Sequence, residues 1–206
     1  MRNISIIGCG GHARCVANTI FYNEKDVHLT FYDENARSGE KIFGDIDVLG
    51  MPLDFDGEQL FIAIGDNMER MKFAQRYEHY LNLHGSSIVS QSAHIGKFVD
   101  IGLGSYVSEG AYIGPEVVIG KFSIINSNAV VAHEARIGSF SHISVNATVS
   151  GRCNIGNNVF LGGGAVVRDK VSICDSVVIG AGGVVCKDIS ESGIYVGCPV
   201  KKIKEI

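Results

Sequence analysis

A six-residue repeat occupies the second half of this chain and restricts its fold more than any other feature. From Val89 onward the sequence follows hexads of the form aliphatic, small or glycine, free, free, small, free, and residues 89–190 contain 17 of them without a slip. Every first position is Val, Ile or Leu, and no fifth position is aromatic or charged. Neither an α-helix nor a β-sandwich has this period.

The hexads predict a parallel β-helix with a triangular cross-section. Each short strand points one large aliphatic and one small side chain inward, and the free positions turn the corner that follows. Three hexads complete one coil of 18 residues, so the 17 hexads give between five and six coils. Many coils must stack, because no coil can bury its own apolar edge. The repeat alone predicts a fold, and it is equally compatible with a scaffold that has no chemistry.

The first 85 residues lack the hexad and indicate a small α/β domain. Alternation of strands and helices predicts a parallel, Rossmann-like sheet. The predicted elements are strands at Ile4–Ile7, His28–Tyr32 and Leu60–Ile64, and helices at His12–Phe21 and Asn67–Leu83. We therefore expect a Rossmann-like domain at 1–85 and a β-helix domain with a C-terminal tail at 86–206. The short linker predicts that the two pack against each other.

A glycine-rich turn follows the first predicted strand, at Gly8-Cys9-Gly10-Gly11-His12-Ala13, and opens the first helix. Backbone N–H groups at a helix N-terminus attract phosphate, and glycine allows its close approach. Asp33 and Gly65 end the next two strands, where ligands collect in such sheets. The segment is too short for both halves of a dinucleotide site, so a single nucleotide is favoured over NAD. A plain tight turn and a solvated strand-end acid at Asp33 are the structural alternatives.

Two of the seven histidines lie within the repeat in positions that suit chemistry. His133 occupies a corner position, so its side chain points outward, and histidine suits a general base near neutral pH. His142 also faces outward, on the next flat face. A surface role for His133 remains an equal alternative at this point. A metal site is disfavoured, because Pro115 and Gly151 occupy the stacked positions above and below His133. We expect four other histidines to lie on the surface. His28, His79 and His84 are in polar segments, and His94 is the sixth residue of the first hexad.

Composition excludes several function classes. The net charge of −4 argues against nucleic-acid binding, which needs a basic patch. No apolar run approaches the ~20 residues that span a bilayer, so membrane insertion is not expected. The N-terminus leads directly into a predicted strand and does not resemble a signal peptide. Six cysteines without a CxxC pair predict reduced thiols and a cytoplasmic location.

The whole chain resembles the bacterial sugar O/N-acyltransferase family of hexapeptide-repeat proteins. That family includes sialic acid O-acetyltransferases and N-acetyltransferases acting on UDP-4-amino-4,6-dideoxy sugars. The departures from its pattern are Ala13, Asp66 and Val200, of which Asp66 bears on nucleotide choice because a carboxylate near a phosphate is unfavourable. The matching stretches are Ile6–His12, Phe31–Glu34, Ile62–Asn67 with Arg70, Val131–Glu134, Ser139–Ser144 and Gly193–Lys201.

The resemblance implies a left-handed helix, a homotrimer and active sites between adjacent helices. It implies His133 as the general base and Glu134 as its partner. Acetyl-CoA is the implied co-substrate, and no metal is expected. The residues implied to line acetyl-CoA are His142, Gly151, Gly162, Gly180 and Ala181. Those implied to hold the nucleotide of the sugar are Gly10, Gly11, His12, Asp33 and Gly65.

The expected activity is acetyl transfer to the amine of a nucleotide-linked 4-amino-6-deoxy sugar, for bacterial surface glycans or glycoproteins. The amine would attack the thioester directly, while a backbone N–H stabilises the oxyanion. One alternative is O-acetylation of sialic acid or another sugar. A more remote alternative is a nucleotide-binding regulatory or oxidoreductase module that the β-helix only trimerises. Tight NAD binding without acetyl transfer would distinguish it.

Overall fold

The structure is a computed structural model that describes residues 2–52, 55 and 59–206. An α/β part comes first and a left-handed parallel β-helix follows it. None of the helices in these ranges is long and apolar enough to cross a membrane.

The α/β part is a five-stranded sheet with the order β3-β4-β2-β1-β5. Strands β4, β2, β1 and β5 are parallel, and β3 is antiparallel to β4. Its elements are β1 (Arg2–Ile7), α1 (Gly11–Asn23), β2 (Val27–Tyr32), β3 (Lys41–Ile42), β4 (Ile46–Leu49), β5 (Gln59–Ile62), α2 (Asn67–Arg76) and α3 (Glu78–His84).

The predicted parallel sheet is confirmed, with three local differences. The helix predicted over Asn67–Leu83 is two helices, because Tyr77 leaves the helical region at φ −108° and ψ 23°. Strand β5 ends at Ile62 and not at Ile64, whose carbonyl accepts a hydrogen bond from Arg70. The sequence did not predict β3 and β4.

The β-helix contains 17 short strands, and each ends at a predicted aliphatic first position. Each inner strand pairs in parallel with the strands 18 residues before and after it, as Val131 does with Ile113 and Val149. The strands are β6–β22, at Ile88–Val89, His94–Ile95, Asp100–Ile101, Tyr106–Val107, Tyr112–Ile113, Val118–Ile119, Ile124–Ile125, Val130–Val131, Arg136–Ile137, His142–Ile143, Thr148–Val149, Asn154–Ile155, Phe160–Leu161, Val166–Val167, Ser172–Ile173, Val177–Ile179 and Val184–Val185.

The strands form three flat faces that differ in their outward residues. The docked face (β6, β9, β12, β15, β18, β21) presents Ile88, Tyr106, Ile124, His142, Phe160 and Val178. The open face (β7, β10, β13, β16, β19, β22) presents His94, Tyr112, Val130, Thr148, Val166 and Val184. The polar face (β8, β11, β14, β17, β20) presents Asp100, Val118, Arg136, Asn154 and Ser172.

The corners have a regular backbone conformation that the sequence does not show. Every sixth residue from Phe98 to Gly182 has a positive φ, and most of these residues are not glycine. Where the second hexad position is glycine, neighbouring coils approach closely. A Cβ at Gly114, for example, would lie 2.6 Å from the backbone nitrogen of His133 in the next coil. Close stacking, and not a special φ, therefore explains the glycine that follows the aliphatic residue.

The α/β part packs directly on the docked face. Ile88, Tyr106 and Ile124 from that face form one buried cluster with Val16 and Ile20 of α1. At the C-terminal end, β23 (Gly193–Gly197) pairs in parallel with β21, and β24 (Val200–Lys204) returns antiparallel to β23. The docked face thereby gains two strands from the tail.

Candidate functional site

The glycine turn connects the end of β1 to the N-terminus of α1. Gly10 is the N-cap of α1 at φ −73° and ψ −167°, and no side chain caps the helix. The first turn of α1 contains no acidic residue. The free N–H groups and the helix dipole therefore favour an anion at this position.

The glycines of the turn have two different roles. Gly8 has φ +106°, and a Cβ there would lie 2.9 Å from the carbonyl oxygen of Ala63, so the fold itself requires glycine. At Gly10 and Gly11 a Cβ would meet no atom within 4 Å. None of the residues that the structure describes fills the space left by these two missing side chains. The space lies at the helix N-terminus, which is where a phosphate would bind.

Asp33 supports the turn from the end of β2. Its Oδ2 accepts a hydrogen bond from the Cys9 N–H at 3.1 Å, and its Oδ1 accepts one from the Asn35 N–H at 2.9 Å. The carboxylate is only partly buried, and it lines the pocket formed by the turn. It is thus more than a solvated strand-end acid, and it retains acceptor capacity toward the pocket.

Two pockets meet at Gly65. The first has a volume of about 440 Å³ and is lined by the glycine turn, Asp33 and Gly65. The second has a similar volume of about 440 Å³ and is lined by Gly65, His142, Phe160 and other residues of the docked face. Gly65 lies close to His12, since a Cβ there would be 3.6 Å from the His12 Cβ. A ligand could therefore extend from the glycine turn to the docked face within one chain.

His12 and His142 lie side by side where the α/β part contacts the docked face. Their ring centroids are 6.4 Å apart, and His12 also packs edge-on against Tyr106. Burial lowers the pKa of His12 to about 3 and that of His142 to about 4, so both rings are neutral at pH 7. Nε2 of His142 lies 3.2 Å from the amide nitrogen of Asn126.

One nitrogen of each of these two imidazole rings lacks a well-formed hydrogen bond. Nε2 of His12 and Nδ1 of His142 are buried and form no hydrogen bond of normal geometry with the described residues, although the Gly65 backbone lies close to His142. Buried polar atoms are normally satisfied, and an exception calls for a water or a ligand. The sequence placed His142 on an outward flat face, and the structure shows that the α/β part covers that face, so the side chain is 8% exposed.

Arg70 fixes the loop between the two pockets. Its guanidinium is 1% exposed and donates to the carbonyls of residues 64–66, of Phe122 at 2.7 Å and of Phe140 at 3.1 Å, and to the side chain of Asn67 at 2.7 Å. Burial lowers the pKa of Arg70 to about 10, so it stays charged at neutral pH. The sequence indicated no such role, because the Phe122 and Phe140 acceptors come from two coils that are distant in sequence.

Asp66 has a structural role that its position in the sequence did not predict. Its side chain caps α2 by accepting a hydrogen bond from the Glu69 N–H at 2.9 Å. Asp66 lines the second pocket and not the first. Asparagine would cap the helix equally well, so this departure from the family pattern leaves the lining of the glycine turn unchanged.

His133 and Glu134 form a pair at the corner between the open and polar faces, which we call the His133 corner (Ala132–Ala135). Nδ1 of His133 lies 2.8 Å from the Glu134 carboxylate, and both side chains are 49% exposed. A neutral histidine that donates from Nδ1 presents an unprotonated Nε2. Gly151, in the next coil, lies beneath the imidazole ring.

The residues predicted to line acetyl-CoA fall on different parts of the β-helix. Gly162, Gly180 and Ala181 stack at the corner between the docked and open faces, which we call the Ala181 corner (residues 162–164 and 180–182). Gly151 lies at the His133 corner, and His142 lies on the docked face. Within one chain the His133 corner is opposite the docked face, so the base and the nucleotide pocket do not meet. The described residues contain no group of three or more His, Cys, Asp or Glu that could hold a metal.

Comparison with known proteins adds family information to this geometry. Residues 3–77 match the family described as the PglD N-terminal domain. No match was found among curated protein sequences.

Solved structures resemble the chain over its full length. PerB from Caulobacter crescentus, in complex with CoA and GDP-perosamine, is 30% identical, with 98% of each chain covered and a TM-score of 0.90. A variant of perosamine N-acetyltransferase from the same organism, with the same two ligands, is 29% identical over 100% of this chain and 98% of that one, with a TM-score of 0.90. The acetyltransferase domain of PglB from Neisseria gonorrhoeae, with acetyl coenzyme A, is 26% identical over 98% of this chain and 99% of that one, with a TM-score of 0.90.

Proposed function

Because this chain belongs to the sugar acyltransferase family of hexapeptide-repeat proteins, we propose that it transfers the acetyl group of acetyl-CoA to the amine of a nucleotide-linked 4-amino-6-deoxy sugar. Residues 1–85 would hold the nucleotide, and residues 86–206 would carry the transfer. CoA and GDP-perosamine are bound together in the structures of PerB and of perosamine N-acetyltransferase.

The observation that carries this proposal is the junction of the two pockets at Gly65. The first pocket offers a helix N-terminus for a diphosphate and the partly buried Asp33 as an acceptor. The second pocket offers neutral imidazole and the apolar side chains of Phe160 and Val178. A nucleotide joined to a deoxy sugar has this order of groups, whereas a free sugar acid would leave the glycine turn without a partner.

His133 is the proposed general base. With Nδ1 held by Glu134, Nε2 can accept the proton that the amine loses as its nitrogen bonds to the thioester carbonyl carbon. The C–S bond then breaks, Nε2 passes that proton to the departing sulfur, and CoA leaves as the thiol. The N–H of Gly151 donates to no other described residue and lies beneath the base, so it is the proposed donor to the oxyanion. No cysteine takes part.

The assembly we propose is a homotrimer with a threefold axis along the open face. The outward side chains of this face include Tyr112, Val130 and Val166, of which Tyr112 is 41% and Val166 37% exposed in the single chain. The polar face is a poor alternative, since its outward residues include Asp100 and Arg136. Burial of the apolar side chains would drive association.

A threefold arrangement about the open face would also complete the active site. The open face is bounded by the His133 corner on one side and by the Ala181 corner on the other. In a cyclic ring, each His133 corner meets the Ala181 corner of the neighbouring chain. Acetyl-CoA would lie in that cleft, between Gly151 of one chain and Gly162, Gly180 and Ala181 of the next. His142, His12 and the glycine turn of the second chain would bring the acceptor.

We also propose a cytoplasmic location. All six cysteines are free thiols, and four of them are buried or partly buried, namely Cys9, Cys153, Cys174 and Cys186. Free thiols suit a reducing compartment, where acetyl-CoA is also available.

The test of the proposed function compares acceptors at equal acetyl-CoA concentration. GDP-, UDP- and dTDP-linked 4-amino-6-deoxy sugars are assayed beside free sialic acid, with CoA release as the readout. We expect turnover with at least one amino sugar and none with sialic acid. His133→Ala should lower that turnover about a hundredfold without loss of acetyl-CoA binding. Faster acetylation of sialic acid, with no binding of any amino sugar, would replace this proposal with O-acetylation.

A further inference from the structure

Gly151 occupies a corner position where the β-helix does not require glycine. It is the third residue of its hexad, and its φ lies outside the left-handed region. The same position at the His133 corner carries a full side chain in the other coils, namely Lys97, Pro115, His133, Asp169 and Lys187. Neither the backbone conformation nor the repeat therefore explains the missing side chain.

The space beside Gly151 is filled by His133. A Cβ at Gly151 would lie 2.6 Å from both Cε1 and Nε2 of His133 and 3.1 Å from its Cδ2. The imidazole ring thus lies across the position that an alanine methyl group would occupy. On its other side, Nδ1 is held by Glu134 at 2.8 Å.

We propose that Gly151 is a positioning residue, which leaves its Cβ space to the imidazole of His133 and so fixes where the basic nitrogen points. This inference rests on the proposed function, in which His133 is the base. The proposed role depends on Gly151 having no side chain, and it is separate from any contact between the Gly151 backbone and acetyl-CoA. Displacing the ring would separate Nδ1 from Glu134 and move Nε2 away from the reacting amine.

Comparison with two other glycines shows why an alanine at Gly151 should leave the fold intact. At Gly114 a Cβ would strike the backbone of the neighbouring coil at 2.6 Å, so the coil itself would have to move. At Gly151 the obstructing group is a side chain that is 49% exposed, and a side chain yields more easily than the backbone of a coil. At Gly163, also third in its hexad, the nearest atom would be 3.5 Å away, which is ordinary contact.

The test is a double-mutant cycle between Gly151→Ala and His133→Ala. In the wild-type background, Gly151→Ala should lower kcat by roughly tenfold to a hundredfold, as expected for a misplaced catalytic group. In the His133→Ala background it should change kcat less than about twofold, because the ring it displaces is gone. The unfolding temperature of the Gly151→Ala single variant should match that of Gly163→Ala, which serves as a control for stability only.

A second readout does not depend on turnover. The ¹⁵N NMR signals of the His133 ring should lose the signature of an Nδ1–H held by a carboxylate in Gly151→Ala. An equal loss of kcat in both backgrounds would overturn the inference and assign Gly151 an independent role. Unchanged kcat and ring signals in Gly151→Ala would also overturn it. If His133→Ala alone kept wild-type turnover while Gly151→Ala still shifted the ring signals, the failure would lie in the proposed base.

Discussion

Two inactive variants of this chain should restore activity to each other when they share a trimer. His133→Ala removes the proposed base. Gly10→Asp places a carboxylate where the diphosphate is proposed to bind, so the acceptor is repelled. A Cβ at Gly10 would meet no atom of the described residues within 4 Å, and aspartate is a good N-cap, so helix α1 should stay intact. Each variant should therefore fold and assemble, yet turn over the acceptor slowly.

The size of the effect follows from the positions of the two corners. In a cyclic trimer, each site takes its base from one chain and its nucleotide pocket from the neighbour. Every mixed trimer then has one site in which both parts are intact, whichever variant is in the majority, so it should recover about a third of wild-type turnover. A site built within one chain always carries one defect and stays near the ~1% level expected without the base.

The assay uses two affinity tags, one on each variant. Chains are co-expressed, mixed trimers are isolated through both tags, and CoA release is measured with a nucleotide-linked 4-amino sugar. Wild-type chains with the same two tags give the reference turnover. Mixed trimers that remain at ~1% of this reference would refute the shared site. A fully active species with the mass of one chain in light scattering would refute the trimer as well.

Two further predictions concern stability. Arg70→Met should lower the free energy of unfolding by about 3 kcal/mol or more, because it leaves buried carbonyls without donors. Urea unfolding measures this change. An unchanged unfolding midpoint would contradict the role of Arg70 between the α/β part and the β-helix. Stability should also fall as the pH drops from about 6.5 toward 4. The pKa values of His12 and His142 are lowered in the folded chain, so the unfolded chain binds protons at a higher pH than the folded chain does. Each histidine therefore lowers the free energy of unfolding by about 1 kcal/mol for each pH unit of acidification. His142→Asn should reduce the dependence of the free energy of unfolding on pH. An equal pH dependence in the variant and the wild type would contradict this prediction.

The β-helix was the most predictable part of the molecule. A coil contacts only its neighbours, so the identity of the inward residues is set locally and the hexad can be followed residue by residue. All 17 strands end at the predicted first positions. The positions of the corner residues with positive φ were not predictable, because closure of the coil sets their backbone conformation. Phe98 and Glu134 adopt it although neither residue type favours it.

The site was predictable only where chemistry and position coincide. His133 was placed at a corner from the phase of the repeat, and the structure puts it there, although its role as base stays a prediction. The burial of His142 depends on which face the α/β part covers, and that is a contact between distant segments. The position of Arg70 depends on the same contact. Sequence spacing indicates which way a side chain points, but not what comes to lie against it.

The three-sided coil has a consequence for changes in chain length. Adding 18 residues inserts a whole coil and leaves every later residue at its own corner, as the pairing of Val131 with Val149 illustrates. Adding six residues also preserves the repeat, yet it turns everything downstream by one face. An insertion of that size between Glu134 and Ala181 would carry the Ala181 corner to another edge of the prism. Descendants of this chain can therefore lengthen by single hexads and still fold, but only whole-coil steps keep the two corners on one face.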